Sequence, residues 1–472
     1  MALEPTATGG ELTPERVDQL RETVRGPVVL PEDDGYDEAR AIWNGMIDRR
    51  PALIVGCTST ADVVAGVNLA REEGFELSVR GGGHNVAGSA VSEGGIMLDL
   101  SAMNGVVVDR ERRTVRAQGG ATLGDVDHET QLFGLATPLG AVSKTGIAGL
   151  TLNGGYGHLT REFGLAADNV VAAEIVTADG RVRTASADRN PDLFWALRGG
   201  GGNFGVVTTF ESELHEVGPE VFACFVWFHA DELEAVMEQF GTWTATAPRH
   251  AGILPFVGHV PEDEMFPEDS WGEPAVVLLG SARGPVEAGE ALFEAIRESA
   301  SPIVDFSAPM EFETLQSMLD EDFPDGLRYY WKSIFLTELT DEVVDIMGRY
   351  NESAPSALST IDCWHLGDAV SDVPQDATAF YHRDKPFMLT IEANWEDEAD
   401  DDENVEWARE VFGEVETLPI AAGRYGNFPG FAEDPVTLLY GENYDRLVDI
   451  KTKYDPGNLF RVNQNIPPRT TE

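Results

Sequence analysis

Apolar and polar positions change their period several times along the chain, and these changes divide it into elements. Ala52 to Val55 reads as a strand. Ser59 to Glu73 follows as a helix, with Val63, Val64, Val67 and Ala70 at helical spacing behind a Ser59/Thr60 cap. The apolar stretch Phe75 to Val79 reads as a strand leading into a loop. Ile96 to Leu100, Val106 to Asp109 and Thr114 to Ala117 are strand-like runs parted by Gly or charged turns, and Leu123 to Gln131 fits a helix. Past His215 the texture changes to strands alternating with amphipathic helices, among them Glu232 to Phe240 and Val286 to Glu298. The acidic run Glu396 to Glu403 reads as a solvated loop or helix start, and Tyr444 to Pro468 as a helix with an Asn/Gln-rich extended end. No internal repeat is visible. Short strands mixed with helices argue for an α+β fold, and 472 residues suggest two or three domains at about 150 residues each.

Charge changes the picture. Against 82 acidic residues stand 33 basic ones, a formal net charge of -49, and the lysines are Lys144, Lys332, Lys385, Lys451 and Lys453. Such a surface repels nucleic acid and anionic membranes. An acidic excess with arginine preferred to lysine suits a cytoplasm at molar salt, where the screening length shrinks to a few ångström. The fold is therefore expected to loosen in dilute buffer. Disorder is a poor alternative, since nine Trp and 23 Phe can build cores. Cys57, Cys224 and Cys363 are far apart with no C-x-x-C pair, so a disulfide framework and a zinc site are both disfavoured, and no metal is expected. All three read as packing residues. Met1 to Gly26 has no apolar signal core and no run approaches 18 apolar residues, which predicts a soluble, cytoplasmic protein.

The run Arg80-Gly81-Gly82-Gly83-His84-Asn85-Val86-Ala87-Gly88 carries the strongest chemical signal. Successive glycine N–H groups can converge on phosphate oxygens, Arg80 would add charge, and His84 offers a nucleophilic imidazole. No helix pattern with G-x-G-x-x-G spacing follows, so this is not a dinucleotide fingerprint of the Rossmann kind. Two more glycine loops lie downstream, Gly146 to Gly157 and Leu197 to Gly205. Three such loops suggest a long ligand that touches backbone repeatedly.

Together these loops, the stretch Arg161 to Val170, the stretch Pro191 to Gly205 and the tail Tyr454 to Arg461 through Asn465 resemble the berberine-bridge-enzyme-like FAD-linked oxidases, over nearly the whole chain. The resemblance implies a PCMH-type FAD-binding domain of the vanillyl-alcohol-oxidase kind over residues 1–217, with its core at about 46–217. An inserted substrate domain of antiparallel sheet and helices would span 218–424, and 425–472 would complete the FAD-binding domain. It also implies a covalent bond from His84 to the 8α-methyl carbon of the flavin. A second, cysteinyl link is common in the family, but Val142 holds that position here, so a single link is expected. Thr145 falls where oxygen-reactive relatives have a small valine. The family pattern further assigns Gly146, Gly149, Gly154, Gly155, Tyr156, Gly157, Asn169, Gly205, Val206, Asn463 and Asn465 to the cofactor.

A flavin oxidase needs a group that takes the substrate's O–H or N–H proton. The stretch Gly423 to Phe428 resembles the family's Tyr-x-Asn-Tyr element and makes Tyr425 the first candidate, with Phe428 in place of a second tyrosine. A tyrosine near pKa 10 is a poor base at neutral pH, so a cation must depress it, and Lys332 among Arg328 to Ser333 is the candidate. The family's carboxylate position, counted from Tyr381-His382-Arg383, points to Asp372, while His365 and His382 are possible pocket residues. The expected function is an FAD-dependent oxidase that takes hydride from a small alcohol, sugar, amine or phenolic substrate and passes electrons to oxygen. A dehydrogenase with a quinone or protein acceptor, and a flavin-binding redox protein without turnover, are the competing readings.

Overall fold

The computed structural model describes residues 12–470. Three larger sheets, beside a two-stranded one of Leu135–Ala136 and His215–Glu216, organise the described residues. The first has four strands in the order Val28–Val29, Leu53–Gly56, Ile96–Asp99, Leu77–Arg80, the last three parallel. Helix Thr60–Glu73 connects two of them, and Val63, Val67 and Ala70 are buried with Leu53, Val55, Ile96 and Leu98. The Ser59 hydroxyl accepts from the Asp62 N–H as the cap the sequence suggested. The second sheet is antiparallel, in the order Val106–Asp109, Thr114–Gln118, Val206–Glu213, Val170–Val176, Val182–Ser186. Beside it lies helix Leu123–Gln131, its first turn closed by a reciprocal Thr122/Asp125 capping box. One glycine-rich loop departs from expectation, because Ile147–Leu152 within it forms a short helix.

The third sheet has nine strands, all antiparallel, and runs through Glu220–His229, Pro274–Ala282, Ala251–His259, Thr360–His365, Phe387–Trp395 and Arg328–Leu336. One face packs on helices Leu233–Thr244, Val286–Arg297, Asp341–Glu352 and Asp401–Glu416, burying Ile334, Ile361, Cys363, Leu389 and Ile391 with Phe240, Met347 and Phe412. The other face turns toward the first two sheets. The acidic run reads correctly as a helix start, since Asp401–Glu416 begins inside it. Cys57, Cys224 and Cys363 are buried and free.

The tail returns to the first two sheets and is fastened there. Lys451, on helix Tyr444–Tyr454, and Asp455 have fully buried side chains 2.6 Å apart. The Lys451 ammonium also donates to the Asn203 and Phe460 carbonyls, and Asp455 accepts from the Leu459 and Phe460 N–H groups. Every polar atom of this pair thus works against a neighbour that would otherwise be unsatisfied. Removing one partner strands a buried charge, at a cost of about 3–5 kcal/mol. Lys451→Met is accordingly expected to lower the thermal unfolding midpoint by several degrees, and a midpoint equal to wild type by calorimetry would contradict this role.

Candidate active site

Between the first two sheets and the open face of the third lies a cavity of about 270 Å³. One wall is glycine-rich. Gly81, Gly82, Gly83, His84 and Asn85 line it, as do Thr145, Gly146, Gly149, Tyr156, Gly205, Val206 and Asn463. The loops touch here with no room for side chains: a Cβ on Gly82 would stand 2.3 Å from the Gly146 nitrogen. Buried oxygens of Asn153 and Asn463 have no hydrogen-bond partner among the described residues. A backbone cradle with orphaned polar atoms fits a long polar ligand such as a dinucleotide.

His84 stands in this wall with its ring stacked on Trp43, centroids 5.0 Å apart and 10° from parallel, and Trp43 stacks in turn on Tyr329. Burial pushes the imidazole's pKa down to about 4, against weaker opposition from Asp325 and Asp320. At neutral pH the ring is therefore uncharged and keeps a nucleophilic nitrogen lone pair.

Several expected ligand residues do other work. The Arg80 guanidinium is held by Asp99 in a bidentate pair at 3.0 and 2.6 Å, so its charge is neutralised away from the cavity. Gly88, Gly154 and Gly157 are outside the cavity lining, and a Cβ on them would collide with Ile47, Phe380 and the Leu139 carbonyl, so close loop packing requires glycine there. The Gly155 N–H donates to Tyr425, and the Asn169 amide ties down the Phe163 and Leu165 carbonyls. Asn465 also falls outside the cavity lining.

Opposite the glycine wall stands the third sheet, and its pleat decides what faces the cavity. Trp331 lies across from Glu392, and Thr360 and Thr390 lie across from Glu392 and Asp362, so Trp331, Asp362, Trp364 and Glu392 share one face. All four line the cavity. Lys332 is one residue out of phase and points the other way, over the Phe412 ring at 4.0 Å, with its ammonium bonded to Asp434 and Glu433 at 3.1 and 3.4 Å. It therefore cannot depress Tyr425. Asp372 is exposed and paired with Arg249, outside the cavity. His365 packs against Phe240 and Phe387, while His382 bonds the Leu438 carbonyl and stacks on Phe335. Neither lines the cavity.

Tyr425 does line it. Its phenol oxygen accepts from the Asn427 side-chain N–H at 2.7 Å and from the Gly155 N–H at 3.1 Å. Burial outweighs both donors and raises the phenol well above its ordinary pKa, the reverse of the shift a base needs. Tyr425 is thus a protonated phenol whose own O–H is free to donate.

Asp362 and Glu392 are the charged residues that sequence reasoning missed. They are 7% and 4% exposed. One Asp362 carboxyl oxygen has no partner among the described residues, and Glu392 accepts from the Thr390 hydroxyl at 3.2 Å. Burial pushes Asp362 up to about 7 despite the Thr360 hydroxyl, and burial together with Asp362 pushes Glu392 well above the usual carboxylate range. The readable signal was a single acidic residue in each of two strands, Thr360–His365 and Phe387–Trp395.

Comparisons with known proteins bear on this cavity. A family model described as an FAD binding domain matches residues 51–186, and one described as berberine and berberine like matches 424–467. An FAD-linked oxidoreductase of Dictyostelium discoideum is 31% identical over 96% of this chain and 97% of its own. The (R)-6-hydroxynicotine oxidase of Paenarthrobacter nicotinovorans is 32% identical over 94% of this chain and 97% of its own. A crystal structure of 6-hydroxy-D-nicotine oxidase from Arthrobacter nicotinovorans superposes with a TM-score of 0.84 at 31% identity, covering 94% of this chain and 98% of that one.

The buried carboxyl also has a consequence for stability. Unfolded, Asp362 titrates near 4; folded, it holds its proton to about 7. Between those values the folded state binds more protons than the unfolded state, so stability falls as pH rises through the window and stays low above it. Asp362→Asn removes this loss. We expect its thermal midpoint to exceed that of wild type at pH 8 by roughly 2–5 °C, and by less at pH 5. Equal midpoints at both pH values would contradict the assignment.

Proposed function

The chain belongs to the berberine-bridge-enzyme-like family of FAD-linked oxidoreductases, has its PCMH-type FAD-binding fold and is an FAD-dependent oxidoreductase, and from that premise we propose that it is an oxidase. Its substrate is a small molecule with a C–H bond next to an O–H or N–H group, and oxygen is the final electron acceptor, leaving as hydrogen peroxide. The observation that carries this reading is the meeting of two unlike walls at one cavity: a glycine cradle with a neutral histidine, and a sheet face with an unpaired buried carboxyl.

In this reading the glycine loops and Asn463 hold FAD, and His84 is its single covalent attachment, with Val142 and Thr145 at the same wall. A neutral, stacked imidazole supports that role, because only an uncharged nitrogen can form the bond. Bound FAD supplies an acceptor for the hydride that leaves the substrate carbon. The chain's residues manage the proton. Asp362 is ionised above about pH 7 and takes the heteroatom's proton on its unpartnered oxygen. Tyr425, fixed by Asn427 and Gly155, donates its O–H to the substrate heteroatom once Asp362 has taken that atom's proton, and so orients it. Trp331, Trp364 and Phe428 keep bulk water from these groups.

The test is anaerobic reduction of the purified holoenzyme by a panel of small alcohols, sugars, amines and phenols, followed by admission of air. Bleaching by at least one compound, then reoxidation with one peroxide formed per flavin, is the expected result. Reoxidation by a quinone but not by air would replace the oxidase with a dehydrogenase. Failure of every compound to bleach the flavin would remove turnover altogether. With a compound that reduces the enzyme, the rate is expected to rise with pH through about 7, and Asp362→Asn is expected to slow it by roughly 10²–10⁴-fold. An unchanged rate would remove Asp362 from proton transfer.

A further inference from the structure

We propose that Asp362 and Glu392, walled by the rings of Tyr156 and Trp364, select a substrate that carries a positive charge on nitrogen. The inference rests on the reading of this cavity as an oxidase site and names the substrate class within it.

The charged or titratable groups lining the cavity among the described residues are His84, Asp362, Glu392, Arg461, Tyr156 and Tyr425. Arg461 is engaged with Glu76 at 3.6 Å. The other buried cations near the third sheet are also paired: Lys332 with Asp434 and Glu433, Arg383 with Asp168, and Arg161 with Asp368. Among the described residues Asp362 and Glu392 are left without a cation, and one Asp362 oxygen has no hydrogen-bond partner. Ionised buried carboxylates without a cation or a full set of hydrogen bonds are costly, and a bound cation would offset that cost where a proton otherwise does. Even if one proton is shared between them, a negative charge remains above neutral pH.

The surrounding surface fits the same ligand. Tyr156 and Trp364 meet edge to face at 4.6 Å, and Tyr156 lies 4.8 Å from Tyr425. The Tyr156 hydroxyl is buried without a partner among the described residues and can accept from an ammonium. Aromatic faces beside a carboxylate are suited to ammonium groups, which gain from the ring quadrupoles while the carboxylate takes the N–H bond. A neutral alcohol would satisfy one lone pair and leave the charge uncompensated. The chain's net charge of -49 favours approach of such a cation as well.

The experiment titrates purified holoenzyme with benzylamine and with benzyl alcohol at fixed salt, reading flavin absorbance and, independently, heat. Benzylamine stays protonated from pH 5.5 to 8.5, so a pH profile of its binding reports on the protein. We expect benzylamine to bind at least about tenfold more tightly than benzyl alcohol at pH 8.5. That advantage should shrink as pH falls below about 7, where Asp362 gains its proton, while benzyl alcohol binding stays flat. The double variant Asp362→Asn, Glu392→Gln is expected to bind both probes alike. A flavin absorbance spectrum equal to that of wild type shows that the cavity is intact, and Glu392→Gln alone serves if the double variant does not fold. Equal affinities in wild type, or a preference for the alcohol, would overturn the inference. Absence of flavin from the purified chain would overturn the proposed function, and the calorimetric comparison of the two probes would still decide the charge preference.

Discussion

The alternation of side chains along the antiparallel nine-stranded sheet governs what the rest of the molecule can do. Successive residues of a strand face opposite ways, so Trp331 and Lys332, neighbours in sequence, belong to different environments. The same alternation sends Ile361, Cys363, Leu389 and Ile391 into the helix layer and leaves Asp362, Trp364 and Glu392 at the cavity. A one-residue slip would bury Lys332 in the cavity and drive two carboxylates into the apolar core, so register is under strong constraint. The helix-facing side fixes the register, and the cavity-facing side inherits its chemistry from it.

Across the cavity the constraint is backbone proximity. Gly82 and Gly146 approach so closely that neither accepts a side chain, which brings two loops and the His84 ring to one wall. The tail fastens the arrangement, since Lys451 and Asp455 knit Asn203, Leu459 and Phe460 together, a few residues before the cavity-lining Asn463 and Gln464. The stacked series His84, Trp43 and Tyr329 then ties this wall to the third sheet, with Asn44 bridging the Val86 and Tyr329 carbonyls at 2.7 and 2.9 Å. Stability and site geometry thus share the same residues. The exception is Asp362, whose burial opposes folding at neutral pH and is retained at the point where chemistry is proposed.

Local pattern carried much of this structure. Helix Leu123–Gln131 and strand Val106–Asp109 have the bounds that periodicity indicated, and Gly81 to Asn85, singled out by their glycine and histidine chemistry and by the family resemblance, line the cavity. What periodicity could not supply was direction. Lys332 was conspicuous because lysine is rare, yet its charge is answered by Glu433 and Asp434, a hundred residues away in sequence. Asp372 was reached by counting from His382, but the short helix Ala369–Asp372 turns it out to Arg249. Asp362, ten positions earlier, showed its importance only when pairing with the strand of Glu392 placed both carboxyls on one face. Arg80 failed for a similar reason, since Asp99 is its partner only because their strands lie side by side.

The central claim is that the glycine cradle and His84 hold a covalently attached FAD. An absorbance spectrum before and after acid precipitation, with the mass of the peptide that contains His84, tests it most directly. The account predicts a yellow pellet and a peptide heavier by one FAD. A colourless pellet under a yellow supernatant, with an unmodified His84 peptide, would contradict it.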